Sequence, residues 1–349
     1  MHDITYHYVK RKAILICFIG VLFLLIGEIA FRLPSAPDLL RYAPDKELGF
    51  RYAPQQTFTG FMGNYSVQTP PITIDENGFR NAPVYWKRPI VLALGSSEVE
   101  GPGLTYEEIW TSRLTRLLSK DSNTGPLVVN AAVGGYGPYH QSVVLRRFLK
   151  EQKRPGLVIV RVSIGDRLFF PPTPHELSVT KLKRIKTFVY GYSDFMPFLY
   201  KKTAAQLYAI RNSMSINRKD KVLSREYEKV EAAEKMWKKH KAYWIKITSL
   251  CEENNVSVLF YVSDAYGTPG GKKLFELFNK HFNNSQVVSV FIIDESYFNV
   301  SDRDLDRRRE KFKKQFTLGY DPHANSLQHK IIADTLFDYL RKSMLLKKN

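Results

Sequence analysis

The chain is poor in cysteine. Only Cys17 and Cys251 occur among 349 residues. Cys17 lies in an N-terminal apolar run and Cys251 in a predicted helix, so they are not expected to pair. A disulfide framework is excluded, and no Cys/His spacing suits zinc. Acidic residues are also few, 34 against 52 lysines and arginines, which leaves a formal net charge of +18. The basic excess is dispersed over Lys181–Lys186, Lys235–Lys241, Arg303–Lys314 and Arg341–Lys348. No recognition motif or interleaved aromatic platform accompanies it, so no nucleic-acid partner is expected. A basic face toward anionic lipid or acidic glycan fits better. Internal repeats and long low-complexity tracts are missing as well. Apolar content of 44% and charged content of 25% are those of an ordinary globular protein.

One long apolar run is present. Residues 13–31 are almost wholly apolar and follow Lys10, Arg11 and Lys12. The run is long enough to cross a hydrocarbon layer of ~30 Å as a helix. The positive-inside rule places residues 1–12 in the cytoplasm and the rest in the periplasm or outside the cell. A cleaved signal peptide is the competing reading. It is disfavoured by the length of the run and by the lack of an A-x-A site after it. A buried core helix is disfavoured by the flanking charges and by Pro34 and Pro37. The expectation is a single-pass signal-anchor.

Residues 32–88 read as an irregular linker and lead-in, rich in Pro, Gly and Tyr, with one short strand and an Asn77-Gly78 turn. Beyond them the pattern changes. Ile90–Leu94, Leu127–Val129, Leu157–Val162, Val256–Val262 and Val287–Ile293 are continuous apolar runs, as in strands buried on both faces. Helical patterns over Glu107–Leu118, Tyr139–Leu149, Val222–Cys251, Lys272–Phe282 and Gln328–Leu340 separate or follow them. This alternation predicts a three-layer α/β/α sandwich of flavodoxin-like type over residues 89–345, with a parallel five-stranded sheet. Residues 166–221 break the rhythm. Their aromatic content reads as a helical insertion, either a structural cap or a lid that shapes an acyl or glycan pocket.

Two stretches carry chemistry. Gly95-Ser96-Ser97, with Gly101 and Gly103 close behind, puts Ser97 where the first of these apolar runs ends and a helix begins. Asp321-Pro322-His323 offers an imidazole with a carboxylate two residues before it, ahead of the last helix. A serine nucleophile, an imidazole base and an orienting acid are what acyl transfer requires. Alone, Ser96 or Ser97 could be a capping serine, and Asp-Pro an ordinary surface turn. Asn130 to Gly137 closes the second run with three glycines, a turn where a backbone N–H can approach a ligand. It is not G-x-G-x-x-G and does not open the first βα unit, so a dinucleotide site is not indicated. His329 falls within a helical pattern and reads as structural.

Taken together, these stretches resemble the SGNH/GDSL hydrolase superfamily, in its membrane-anchored bacterial form. Gly95-Ser96-Ser97 is similar to the first block, Asn130–Gly135 to the second and Asp321–Asn325 to the last. Gly78-Phe79-Arg80 looks like the lead-in of anchored members. The resemblance implies a serine ester hydrolase or O-acyl transferase needing no metal or organic cofactor. Ser97 would be nucleophile, His323 general base and Asp321 its orienting acid. The N–H groups of Ser97 and Gly135 would hold the oxyanion. The implied substrate is an acyl ester of an envelope glycan or lipid. Two positions depart from the pattern: Ser96 stands for the usual Asp, and Gly165 for the usual oxyanion Asn. They support a rival reading, a catalytically degenerate glycan-binding or assembly protein on the same fold. Neither the particular ester nor any protein partner is legible.

Overall fold

The computed structural model describes residues 14–27, 29, 42–62, 67–81, 88–119, 125–151, 154–164, 229–264, 267–299, 305–318, 323–343 and 345. The expected insertion 166–221, together with Gly165 and Asp321, lies outside them.

A helix, α1, covers 14–27. Its apolar side chains are exposed, Ile16 at 69% and Phe18 at 64% among them. No helix among the described residues is long and apolar enough to cross a membrane. Fourteen described residues rise only ~21 Å at 1.5 Å each.

The stretch expected to be an irregular lead-in is more ordered than its composition suggests. β1 (Tyr42–Asp45) pairs antiparallel with β2 (Gly49–Tyr52), and β3 (Gln56–Met62) with β4 (Val67–Ile74). Leu48, Tyr52, Phe58, Ile72 and Ile74 are buried in the main core. Two hairpins with few apolar positions each give a weak pattern in sequence. They become ordered by packing on the larger domain.

That domain is built on a five-stranded parallel sheet. Its strands are β5 (Ile90–Leu94), β6 (Leu127–Asn130), β7 (Leu157–Val162), β8 (Ser257–Asp264) and β9 (Val288–Asp294), in the order β6-β5-β7-β8-β9. β5 and β7 are wholly buried, as continuous apolar runs require. β9 departs from the expectation of burial on both faces: most of its residues are only half-buried. Among the described residues it is an edge strand, paired only with β8.

Helices cover both faces. On one, α4 (Pro138–Lys150), α5 (Val230–Glu253) and α6 (Pro269–Phe282) pack over Leu92, Val160 and Phe260, together with the N-terminal hairpins. On the other, α3 (Trp110–Leu118), α7 (Leu305–Phe316) and α8 (Ser326–Ser343) pack over Val91, Ile159 and Leu259. Alternate strand residues thus serve alternate cores. The basic run on α7 is a solvated face, with Phe312 and Phe316 turned to the core.

Candidate active site

β5 ends at Leu94, and the chain turns at once into a single helical turn, α2 (Ser97–Glu100). Gly95 permits this, because a Cβ there would meet Val99 Cγ2 at 2.2 Å. Gly101 closes the turn with φ of 76°, the left-handed region that glycine occupies at low cost. Ser96 is the residue before the helix, and its side chain caps nothing. Ser97 does not cap the helix either. Its Oγ lies 3.0 Å from Nε2 of His323, a hydrogen bond spanning almost two thirds of the chain.

His323 sits on the short approach to α8, and Asn325 fixes that approach. The Asn325 side-chain oxygen accepts from the N–H groups of Leu327 at 3.0 Å and Gln328 at 3.1 Å. Its amide nitrogen donates to the Gln315 and Thr317 carbonyls at 2.8 and 3.2 Å. The Leu318 N–H donates to the His323 carbonyl at 3.0 Å. His323 is therefore held from both sides while its ring stays half-buried. Asp321, the expected orienting acid, falls outside the described residues.

Asn130 braces the Ser97 turn from β6. Its amide donates to the Val99 carbonyl at 2.9 Å, and its oxygen accepts from the Ala132 N–H at 3.1 Å. Beyond it, Gly134 comes so near Ser97 that a Cβ on Gly134 would lie 3.8 Å from Ser97 Cβ. The Gly134 N–H donates to Glu100. Among the described residues, no hydrogen-bond acceptor takes the N–H of Ser97 or of Gly135. Two donors are thus left on the two turns that flank Ser97.

The sequence reading did not single out several buried polar residues around this centre. Glu100 is buried, and it accepts from Tyr52 Oη at 2.8 Å and from Gly134 N at 2.6 Å. Burial pushes its carboxyl above the usual carboxylate range. The Tyr52 hydroxyl, the Arg80 charge and the Gly134 N–H pull it back. Arg80 is 1% exposed and donates to the carbonyls of Glu100, Gly101 and Leu104. Arg161, buried on β7, pairs with Glu98 beside Ser97. The only signal for Glu100 was its place three residues after Ser97. Arg80 was noted as part of a lead-in without a role.

His329 is structural, as its helical setting suggested. Nδ1 accepts from the Trp110 N–H at 3.0 Å, and burial depresses its pKa to about 3. No cluster of His, Cys, Asp or Glu able to hold a metal occurs among the described residues.

No protein-family model matches the chain, and no curated protein matches it. Some solved structures align with it at a distance. The esterase EstA from Pseudoalteromonas sp. aligns over 73% of this chain and 98% of its own, at 14% identity and a TM-score of 0.41. A putative lipolytic protein of the G-D-S-L family from Desulfitobacterium hafniense aligns over 72% and 99%, at 11% identity and a TM-score of 0.40. A lipolytic G-D-S-L family member from Veillonella parvula gives 71% and 96%, at 8% identity and 0.39. Similarity at this level carries no assignment. The site's own geometry has to carry it.

Proposed function

We propose that the chain is a serine ester hydrolase, or an O-acyl transferase of the same chemistry, acting on an acyl ester of an envelope glycan or lipid. The observation that carries this reading is the 3.0 Å contact between Ser97 Oγ and His323 Nε2. Residues so far apart in sequence meet here in the geometry that nucleophile activation requires.

In the proposed reaction, Ser97 Oγ attacks the ester carbonyl as its proton passes to His323 Nε2. The N–H groups of Ser97 and Gly135 bind the oxyanion of the tetrahedral intermediate. His323 then gives the proton to the departing alcohol oxygen, and an acyl-serine remains. Water, or an acceptor hydroxyl, attacks the acyl-serine with His323 again as base, and Ser97 is regenerated. Asp321 is assigned the orienting role two residues before the base. We place the domain in the periplasm or at the cell exterior, tethered through residues 13–31.

The test is hydrolysis of short acyl esters and acetylated glycans by the full chain and by Ser97→Ala. Turnover that disappears in the variant supports the reading. If both proteins are equally inert, the glycan-binding alternative takes its place. The tether is tested by a reporter fused after residue 40, which should be active only outside the cytoplasm. A shortened form released from the membrane would replace the anchor with a signal peptide.

A further inference from the structure

We propose that Glu100 is a positioning residue of this site: its carboxylate holds the Gly134–Gly135 turn beside Ser97, and Tyr52 holds the carboxylate. The inference rests on the acyl-transfer reading of Ser97 and His323 and adds a residue that reading does not use.

Glu100 is a carboxyl side chain only 4% exposed. Burying a carboxyl is unfavourable unless partners satisfy it. Both of its oxygens are satisfied, and the two partners come from different regions. Oε1 accepts from Tyr52 Oη at 2.8 Å, on the second strand of the first hairpin. Oε2 accepts from Gly134 N at 2.6 Å, on the turn after β6. The backbone of Glu100 is fixed separately, its carbonyl accepting from Arg80 Nη1 at 3.2 Å. One rigid side chain therefore links the nucleophile turn, the glycine turn and the N-terminal hairpin.

The link has a consequence for the oxyanion. Gly134 and Gly135 are consecutive, and Gly135 has φ of 88°. Because Glu100 takes the Gly134 N–H, the neighbouring Gly135 N–H is the one left for a ligand. A Cβ on Gly134 would lie 3.1 Å from Glu100 Oε2, so the carboxyl would have to give way by a few tenths of an ångström. The carboxylate and the glycine turn fit each other closely. An oxyanion donor acts only when placed where charge develops. Loosening this hydrogen bond would displace the donor without touching substrate, nucleophile or base. The Tyr52–Glu100 bond also ties the end of β2 to the Ser97 turn.

The test uses full-length protein in detergent. It measures kcat and KM for a short acyl ester, the rate of Ser97 labelling by a fluorophosphonate probe, and thermal melting. Glu100→Ala should lower kcat and the labelling rate by ~10²-fold, the loss expected of one misplaced oxyanion donor. KM should stay within about twofold, because the donor acts on the transition state. Glu100→Gln should remain within about fivefold of wild type. Its amide oxygen can accept from Gly134 while its nitrogen donates to the Tyr52 oxygen. Tyr52→Phe should lower kcat about fivefold at unchanged KM, since one of the two tethers is removed.

A folded Glu100→Ala protein that labels at the wild-type rate overturns the proposal. So does Glu100→Gln falling as far as Glu100→Ala, because the hydrogen bonds would then not be what matters. If Glu100→Ala does not fold, the isosteric Tyr52→Phe decides, and unchanged kcat overturns the proposal. Failure of the underlying reading looks different: wild type itself would not label at Ser97, and the inference would fall with it.

Discussion

Ser97 has two flanks, and they are built differently. The C-terminal flank is the approach to α8, where Asn325 pins the chain and His323 stays half-buried with its ring on the nucleophile. The N-terminal flank is a buried polar cluster. Tyr52, Asn81 and Arg80 reach Glu100, Asn130 and the carbonyls around Gly101, and little of it meets solvent. The first flank supplies a group that can take up and release a proton. The second supplies groups that fix where the backbone lies. The proposed nucleophile needs both, and substitutions should separate them into losses of rate and losses of stability.

The largest effect belongs to the C-terminal flank. His323→Ala should lower ester turnover by ~10³-fold or more, because the serine loses its base. Its melting temperature should change little, since the ring is only half-buried. A variant with most of its activity left would remove His323 from the chemistry.

Next comes Arg80, on the other flank. Arg80→Met removes a buried guanidinium from three carbonyls, of Glu100, Gly101 and Leu104. Each acceptor left without a partner costs on the order of 1–3 kcal/mol. The Gly101 carbonyl keeps the Leu104 N–H at 3.4 Å, so two acceptors are orphaned and denaturant unfolding should show a loss of ~2 kcal/mol or more. A loss under ~1 kcal/mol would mean that water reaches these carbonyls and that the N-terminal flank is not the rigid element described.

Asn325→Ala comes third and mixes the two behaviours. It removes the acceptor for Leu327 and Gln328 and the donor for Gln315 and Thr317, at a cost of ~2 kcal/mol. Turnover should fall as well, because His323 rides on the same loop. Stability loss with full turnover would show that His323 is positioned by something else.

The smallest effect sharpens the contrast between two histidines six positions apart. His329 is neutral in the fold, its pKa depressed by burial to about 3. A depressed histidine contributes stability that is fully present above its unfolded value of ~6.5 and is lost as pH falls toward 3. At pH 5.5 the loss is ~1 kcal/mol relative to pH 7.5. His329→Gln keeps an acceptor for the Trp110 N–H and cannot titrate. It should melt with a shallower fall between these two pH values than the wild type does. Parallel melting profiles would show that His329 gains no proton on unfolding.

These flanks were unequally legible in the sequence. Ser97 and His323 stood out because each lies at a junction, one where an apolar run ends and one ahead of an amphipathic run. Their residue types also fit one reaction. The sheet was legible for the same reason: Ile90–Leu94 and Leu157–Val162 are apolar without interruption, and buried parallel strands need that. The N-terminal flank was not legible. Tyr52, Arg80 and Glu100 show no periodicity, and each takes its meaning from a partner 20 to 48 residues away. Residues 42–74 were read as mostly irregular because two short hairpins bury too few side chains to leave a pattern. β9 was read as fully buried because a single sequence does not show which strand lies at the edge.

The central claim is that Ser97 is a nucleophile activated by His323. The most direct measurement is labelling of the full-length protein by a fluorophosphonate probe, with the modified residue located by mass spectrometry. Stoichiometric modification of Ser97 is expected, lost in Ser97→Ala and slowed by ~10³-fold or more in His323→Ala. Modification of another residue, or equal labelling of wild type and Ser97→Ala, would contradict it.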